Sequence, residues 1–386
     1  MKRRVAIVGY KLMKNTRASE WTRERIYYEL SKSLLEELEI KREDIDTFIF
    51  ASNDFADGRT ISEVYLVQRM GAYMRDESKV EQEALNACLY AWLRIQSGEY
   101  DTAMVGMASL SSSQFKPLLV QNHELDPVYE RPRGLINFYS GAAFQARAYM
   151  ERFKNFTESH IARYAEKGYR NALKNQYSLQ IIPPSIEKIE NSDPIYLPIR
   201  ELEVAPYADG GGVVILASAE KAKKLTKKPV WIEGVGSAQD TYWIGERDLV
   251  KLDGLREAAR RAYRMAGIKN PKKEISFAEV QTFFASEEPV IAEALGLFEE
   301  GSGAEVIEKG LSEIDGKIPV NPSGGSFGGN PMGGTSLIGL INAVKQLREE
   351  ADDFQVKKAK RALVHSQDGV CAQHNTVMIL SAGGKK

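Results

Sequence analysis

The chain is short of the residues that usually mark a reactive site. Its 386 residues hold two cysteines, Cys88 and Cys371, and four histidines. Two cysteines without a CxxC spacing leave no visible zinc site and no disulfide framework. Lys and Arg number 52 against 53 Asp and Glu, a net charge of −1, which lacks the basic footprint of a nucleic-acid-binding protein. No apolar run approaches the roughly 18 residues of a spanning helix. The start, Met1 to Arg4, is basic, but the apolar run after it ends at Val8, too short for a signal peptide. No glycine-rich loop of the dinucleotide or P-loop kind is present. Gly324-Gly325 and Gly328-Gly329 read as turns that let backbones approach closely. These absences predict a cytoplasmic protein with no nucleic-acid or membrane partner, no metal and no tightly bound cofactor.

What is present suits a large layered core. Apolar residues make up 43% of the chain, and its length fits two similar domains or one large one. The order of elements repeats. The first half opens with a strand at Val5–Gly9, a helix carrying Leu30, Leu34, Leu35 and Leu38, and a strand at Thr47–Ala51. The second half matches it with a strand at Pro229–Gly234, a helix from Leu255 to Ala266 and a strand at Ile275–Val280. Ala84, Ala87, Cys88, Ala91, Trp92 and Ile95 form one face of a buried helix that Ser97-Gly98 ends. Leu337, Leu340, Ile341, Val344 and Leu347 form the matching stripe. Strands at Asp101–Gly106 and Gly212–Ala217 answer those at Arg361–His365 and Thr376–Leu380. The expected division is 1–227 and 228–386, with two mixed sheets packed through central helices. The stretch 111–202 has no counterpart and carries seven prolines, Pro117 to Pro198. It reads as an insertion capping one end of the first half, either a structural lid or part of a ligand site.

One segment then reads as a known pattern. Ile318 to Thr335, with Gly324-Gly325 and Gly328-Gly329-Asn330-Pro331, resembles the thiolase signature, in which a double glycine precedes Gly-His-Pro and a helix. Glu279 to Phe283, Ala205 to Gly211 and Leu125 to Pro132 resemble further thiolase segments, in order along nearly the whole chain. The resemblance is to thiolases of the archaeal and sterol-carrier type. It implies a duplicated α/β thiolase fold, five-layered αβαβα, with an inserted loop domain. It also implies coenzyme A or acyl-CoA as ligand and a dimer or tetramer, homo or hetero, with a thiolase-fold paralogue. A small zinc-ribbon/OB-fold acyl-CoA-binding protein is a further partner that the resemblance suggests.

Thiolase chemistry needs a thiolate to hold the acyl group, a base beside the α-carbon and donors for the developing oxyanion. This sequence departs from the family at each matching position, with no thiol and no imidazole there. The nucleophile position falls at Glu81, the Gly-His-Pro histidine at Asn330, the Asn or His position at Gln281, and the second cysteine at or beside Ser366. Glu81 also reads as ordinary helix-start capping. Cys88, seven residues past the nucleophile position, lies on the apolar stripe and reads as core, or as the nucleophile of a shifted alignment; Cys371, near the last loop, is either a strand-edge residue or one that approaches the site. His365 and His374 flank that loop, as cavity or structural residues. Tyr242 is either a wall aromatic or a catalytic tyrosine of the kind some thiolase-like retro-aldolases use. Three readings follow. One is a catalytically silent subunit of a thiolase complex in acyl-CoA metabolism. Another is an active acyl-CoA carbon–carbon lyase or transferase with non-standard residues. The third, a conventional acetyl-CoA acetyltransferase, has the residues against it.

Overall fold

The computed structural model describes residues 3–114 and 123–383. Pro117 of the insertion lies outside the described residues, as do Met1 and Lys2 of the basic start. Eleven strands are β1 (Val5–Leu12), β2 (Thr47–Ala51), β3 (Asp76–Val80), β4 (Thr102–Leu110), β5 (Pro194–Tyr196), β6 (Ile199–Arg200), β7 (Asp209–Ser218), β8 (Val230–Gln239), β9 (Phe277–Val280), β10 (Arg361–Asp368) and β11 (His374–Ser381). The main helices are α1 (Arg23–Glu37), α2 (Ala84–Ser97), α3 (Phe138–Arg152), α4 (Glu158–Leu173), α5 (Asp253–Ala266), α6 (Glu287–Ala294) and α7 (Thr335–Arg348). Among the described residues no helix is long and apolar enough to cross a membrane.

The strands run β3-β2-β4-β7-β1-β8-β11-β10-β9. This order reads alike from both ends: β1 answers β8, β7 answers β11, β4 answers β10 and β2 answers β9. Even β3 has a counterpart, because Val320 bridges in parallel to Ala278 on the far side of β9. The two expected sheets are joined into one. The junction is narrow, resting on two residue pairs, Ala6 with Trp231 and Ile7 with Val230. β3 was not expected, since Asp76-Glu77-Ser78-Lys79 lacks the apolar alternation of a half-buried strand.

Period-two alternation assigns the layers. Ala6, Val8, Phe48, Phe50, Val213 and Ile215 face α1. Val5, Ile7, Ile49 and Val105 face the opposite way, onto α2 and α7, where Val364 and Met378 of the second half meet them. Leu363, Val377 and Ile379 face outward again, onto α5. The result is five layers, α1, half-sheet, α2 with α7, half-sheet and α5. Gly98, in the left-handed conformation with φ 91°, ends α2 where the Ser97-Gly98 pair suggests.

The insertion was expected to cap the first half; it packs over the second. Phe138, Tyr149, Ile161 and Tyr169 of α3 and α4 share a core with Ile291, Leu295 and Val320. Polar contacts hold it there. The fully buried ammonium of Lys167 pairs with Glu288 and donates to Ser312 Oγ and the Val320 carbonyl, each at 3.2 Å. Tyr149 donates to Glu293 at 2.6 Å. These partners are more than a hundred residues apart, so no local sequence window reveals them.

β8 lies directly against α5, and glycine makes this possible. A Cβ at Gly236 would stand 2.0 Å from the Ala258 carbonyl oxygen, and one at Gly234 would stand 2.2 Å from that of Ala262. Both obstacles are backbone. Gly236→Ala is therefore expected to destabilise the protein by about 1–3 kcal/mol through overpacking. The check is a lowered urea midpoint with unchanged far-UV circular dichroism.

Candidate functional site

A cavity of about 180 Å³ opens where β2, β4 and β10 end and α2 and α7 begin. Ligand sites in α/β sheets favour this edge of the strands. The sequence places two helix starts face to face here, and they cap each other. Leu85 N donates to Ser336 Oγ at 3.0 Å, and the same hydroxyl donates to Glu83 Oε2 at 2.8 Å. Ser336 N donates to Glu83 Oε2 at 3.3 Å. Asp368, at the end of β10, accepts from Glu83 N at 3.0 Å. Orphan amides of two buried helix ends are thus satisfied by one carboxylate, one hydroxyl and a neighbouring acid.

Glu83 is 3% exposed. Burial, with the nearby Asp368 charge, pushes its carboxyl up to about 7, while hydrogen bonds from Ser336 and the nearby Gln281 side chain oppose the rise. Glu124 lines the same cavity, and burial together with Asp368 raises it to about 7 as well. Two carboxyl groups titrating near neutrality in one cavity can each give or take a proton. The lining also holds apolar side chains, Met107, Met332, Phe138 and Phe283. Phe138, from the insertion, meets Phe283, from the second half, at 5.0 Å and 77°.

Of the residues singled out from sequence, Glu81 and Asn330 line the cavity. Glu81 lies at its rim, with a side chain 52% exposed and paired to Lys79 at 2.8 Å. Asn330 is buried; its Oδ1 accepts from Thr335 Oγ1 at 2.6 Å, and its backbone N donates to the Pro206 carbonyl at 2.8 Å. Gln281 stands behind Glu83, its Oε1 accepting from Gln367 N at 3.0 Å. Gln367 Nε2 reaches Glu287 Oε2 at 3.0 Å, and burial holds the Glu287 carboxyl at about 7.

The remaining candidates do not line the cavity. Ser366 is fully buried on β10 opposite Thr376. His365 is buried against Asn375 at 3.0 Å, and burial lowers it to about 4, so its ring is neutral at pH 7. His374 bridges Ser237 Oγ at 2.9 Å and Asp368 at 3.5 Å. Cys88 packs within the central helical layer, where burial pushes its thiol far up. Cys371 is buried with its thiol raised to about 12, also by burial. Tyr242 is 42% exposed, and its hydroxyl meets the Glu124 carbonyl at 3.3 Å just outside the cavity. Glu83, Glu124 and Asp368 were missed. The available signal was Glu83 itself, an acid directly before an apolar helical stripe.

The sign of the pH effect follows from the raised Glu83 carboxyl. It is protonated in the folded state up to about 7, against an ordinary value of 4.5. The unfolded chain therefore loses that proton first, and stability falls as pH rises through this window. Glu83→Gln keeps an acceptor for Ser336 and is expected to flatten the slope between pH 4.5 and 7. Urea midpoints of both proteins across the range will check it.

Comparison with known proteins gives this arrangement a family. Residues 236–382 match the family described as thiolase C-terminal domain-like. The acetyl-CoA acetyltransferase of Methanothermobacter thermautotrophicus is 30% identical over 279 residues, 72% of either chain. Sterol carrier protein 2 of Oryctolagus cuniculus is 32% identical over 227 residues, 57% of this chain and 41% of that one. A solved structure described as an Ltp2-ChsH2(DUF35) aldolase has a TM-score of 0.83 at 21% identity and covers 98% of both chains, which speaks for the fold. With its mirrored strand order, its paired central helices and a relative of that identity across most of its length, this chain belongs to the thiolase superfamily, in the branch of archaeal acetyl-CoA acetyltransferases and sterol-carrier-type thiolases.

Proposed function

We propose that this thiolase-fold chain binds acyl-CoA without forming an acyl-enzyme, and works as a catalytically silent subunit of a thiolase complex. The observation that carries the reading is the cavity lining. At the paired helix starts it offers Glu81, Glu83, Asn330 and Asp368, with no thiol or imidazole among the described residues. A carboxylate holds an acyl group only as a labile mixed anhydride, and it repels an enolate. Losing one oxyanion donor alone typically costs about 10²–10³ in rate. The positions 81, 281, 330 and 366 are taken to be those of the family's catalytic residues. For CoA, a groove of about 540 Å³ between the insertion and the second half is the favoured path. Arg133 and Arg147 flank it beside Leu135, Phe144 and Ile244, a mixture suited to phosphates and a pantetheine arm.

A second reading, an acyl-CoA carbon–carbon lyase without a covalent intermediate, is favoured by one observation: Glu83 and Glu124 both titrate near 7. The neighbour described as an aldolase with a DUF35 component supports a small acyl-CoA-binding partner in either case. Dimerisation through the first half is part of the proposal. β3 is a sheet edge with partly exposed residues, and such edges are natural pairing surfaces.

Two outcomes are expected. Incubated with acetoacetyl-CoA and CoA, the purified chain shows no thiolysis above background and no acylated peptide by mass spectrometry. Acylation of Cys88 or Cys371, abolished by Cys→Ala, would overturn the silent-subunit reading; turnover lost on Tyr242→Phe or Glu83→Gln would favour the lyase. Light scattering at micromolar concentration is expected to give a dimer, alone or with an active paralogue. A stable monomer under both conditions removes the assembly proposal.

A further inference from the structure

We propose that the cavity selects an acyl group bearing a protonated amine, held by Glu83, Glu124 and Asp368. This rests on the reading that the cavity receives the acyl end of a CoA thioester. Five carboxyl side chains line the cavity, Asp57, Glu81, Glu83, Glu124 and Asp368, with no Lys, Arg or His among the described lining residues. Two of the five are answered from behind. Arg23 pairs with Asp57 at 2.8 Å, and Lys79 with Glu81 at 2.8 Å. Glu83, Glu124 and Asp368 have no Lys or Arg ion pair among the described residues; Asp368 has the His374 ring at 3.5 Å. The two helix starts offset part of this charge, roughly half a unit each. A deficit of positive charge remains.

Unpartnered atoms point the same way. Glu124 Oε2 is buried without a hydrogen-bond partner, and Asp368 Oδ2 has only the His374 ring, at 3.5 Å. Buried acceptors of this kind call for a donor. An ammonium supplies three donors and no acceptor, and it also balances charge; a hydroxyl supplies one donor and no charge. The apolar lining residues, Met107, Phe138, Phe283 and Met332, suit the methylene part of a short chain. A carboxylate-bearing acyl group meets only repulsion there.

The groups facing the two acids are few. Glu83 faces Asp368, Ser336 and Gln281, and Glu124 faces Asp368 and lies near Tyr139. A bound ammonium lowers both acids, so binding near pH 7 releases about one proton. The experiment is titration calorimetry with 3-aminobutyryl-CoA, butyryl-CoA, succinyl-CoA and CoA. It is run at pH 8 and pH 6, in buffers of different ionisation enthalpy. The expected result is about tenfold tighter binding of the amine than of butyryl-CoA at pH 8, and succinyl-CoA weakest. The preference shrinks at pH 6 and in Glu124→Gln, which leaves the helix starts untouched, and in Glu83→Gln. Equal binding of all three thioesters overturns the selectivity while leaving the acyl-CoA reading standing. So does a preference that survives Glu124→Gln together with Glu83→Gln. If neither CoA nor any thioester binds, the acyl-CoA reading fails and the selectivity with it.

Discussion

The reciprocal cap between Glu83 and Ser336 is the contact on which the rest of the site depends. Each buried helix start leaves amides that water cannot reach, and leaving one unsatisfied costs about 1–3 kcal/mol. Here one hydroxyl and one carboxylate answer both starts, across 253 residues of sequence. The exchange locks α2 to α7 in the central layer, and the central layer is what both half-sheets pack against. The half-sheets also meet edge to edge, at two residue pairs between β1 and β8. The cap also sets the cavity floor, because Gly333 and Asp368 are drawn to the same helix start by Ala84 N and Glu83 N.

That position decides what chemistry the floor supports. A helix start stabilises an anion, by about 0.3–1 kcal/mol when exposed and up to about 2 when partly buried. Burial and the Asp368 charge work against it, and at Glu83 they win, which leaves the carboxyl near 7. The same floor carrying a lone thiol would hold a thiolate. Carrying two acids, it resists any further negative charge, whether thiolate, enolate or tetrahedral oxyanion. Protonated, either acid becomes a donor instead, as a buried carboxylic acid does when its ionisation is suppressed.

Much of the fold was legible because its signals are local. The stripes of α2 and α7, the Ser97-Gly98 stop and the strand Thr47–Ala51 lie where periodicity and turn residues put them. β3 was invisible because a charged edge strand does not alternate. The side on which the insertion packs was also hidden, since Lys167–Glu288 and Tyr149–Glu293 join residues far apart. At the site, family spacing drew attention to Glu81, whose side chain proves half exposed and paired to Lys79. Glu83, two residues on, is the buried member. Nothing short of three dimensions relates it to Asp368 at the end of β10 or to Glu124 in the insertion.

The energetics separate a silent scaffold from a cavity that still serves a ligand. Replacing a buried charged or half-charged group by an apolar one of similar size is often neutral or stabilising. Glu83 and Glu124, both pushed up by burial, are thus a stability cost in the empty protein, and Glu124 carries a buried oxygen without a hydrogen-bond partner. The cap explains Glu83, because Ser336 needs an acceptor, but a neutral amide would serve there as well. It does not explain Glu124, whose Oε2 has no hydrogen-bond partner and whose backbone alone meets Tyr242. Costs gathered in one cavity, where local rules of burial are broken together, are what a binding site looks like. The acids of this cavity are therefore better accounted for by what enters it than by what holds the fold together.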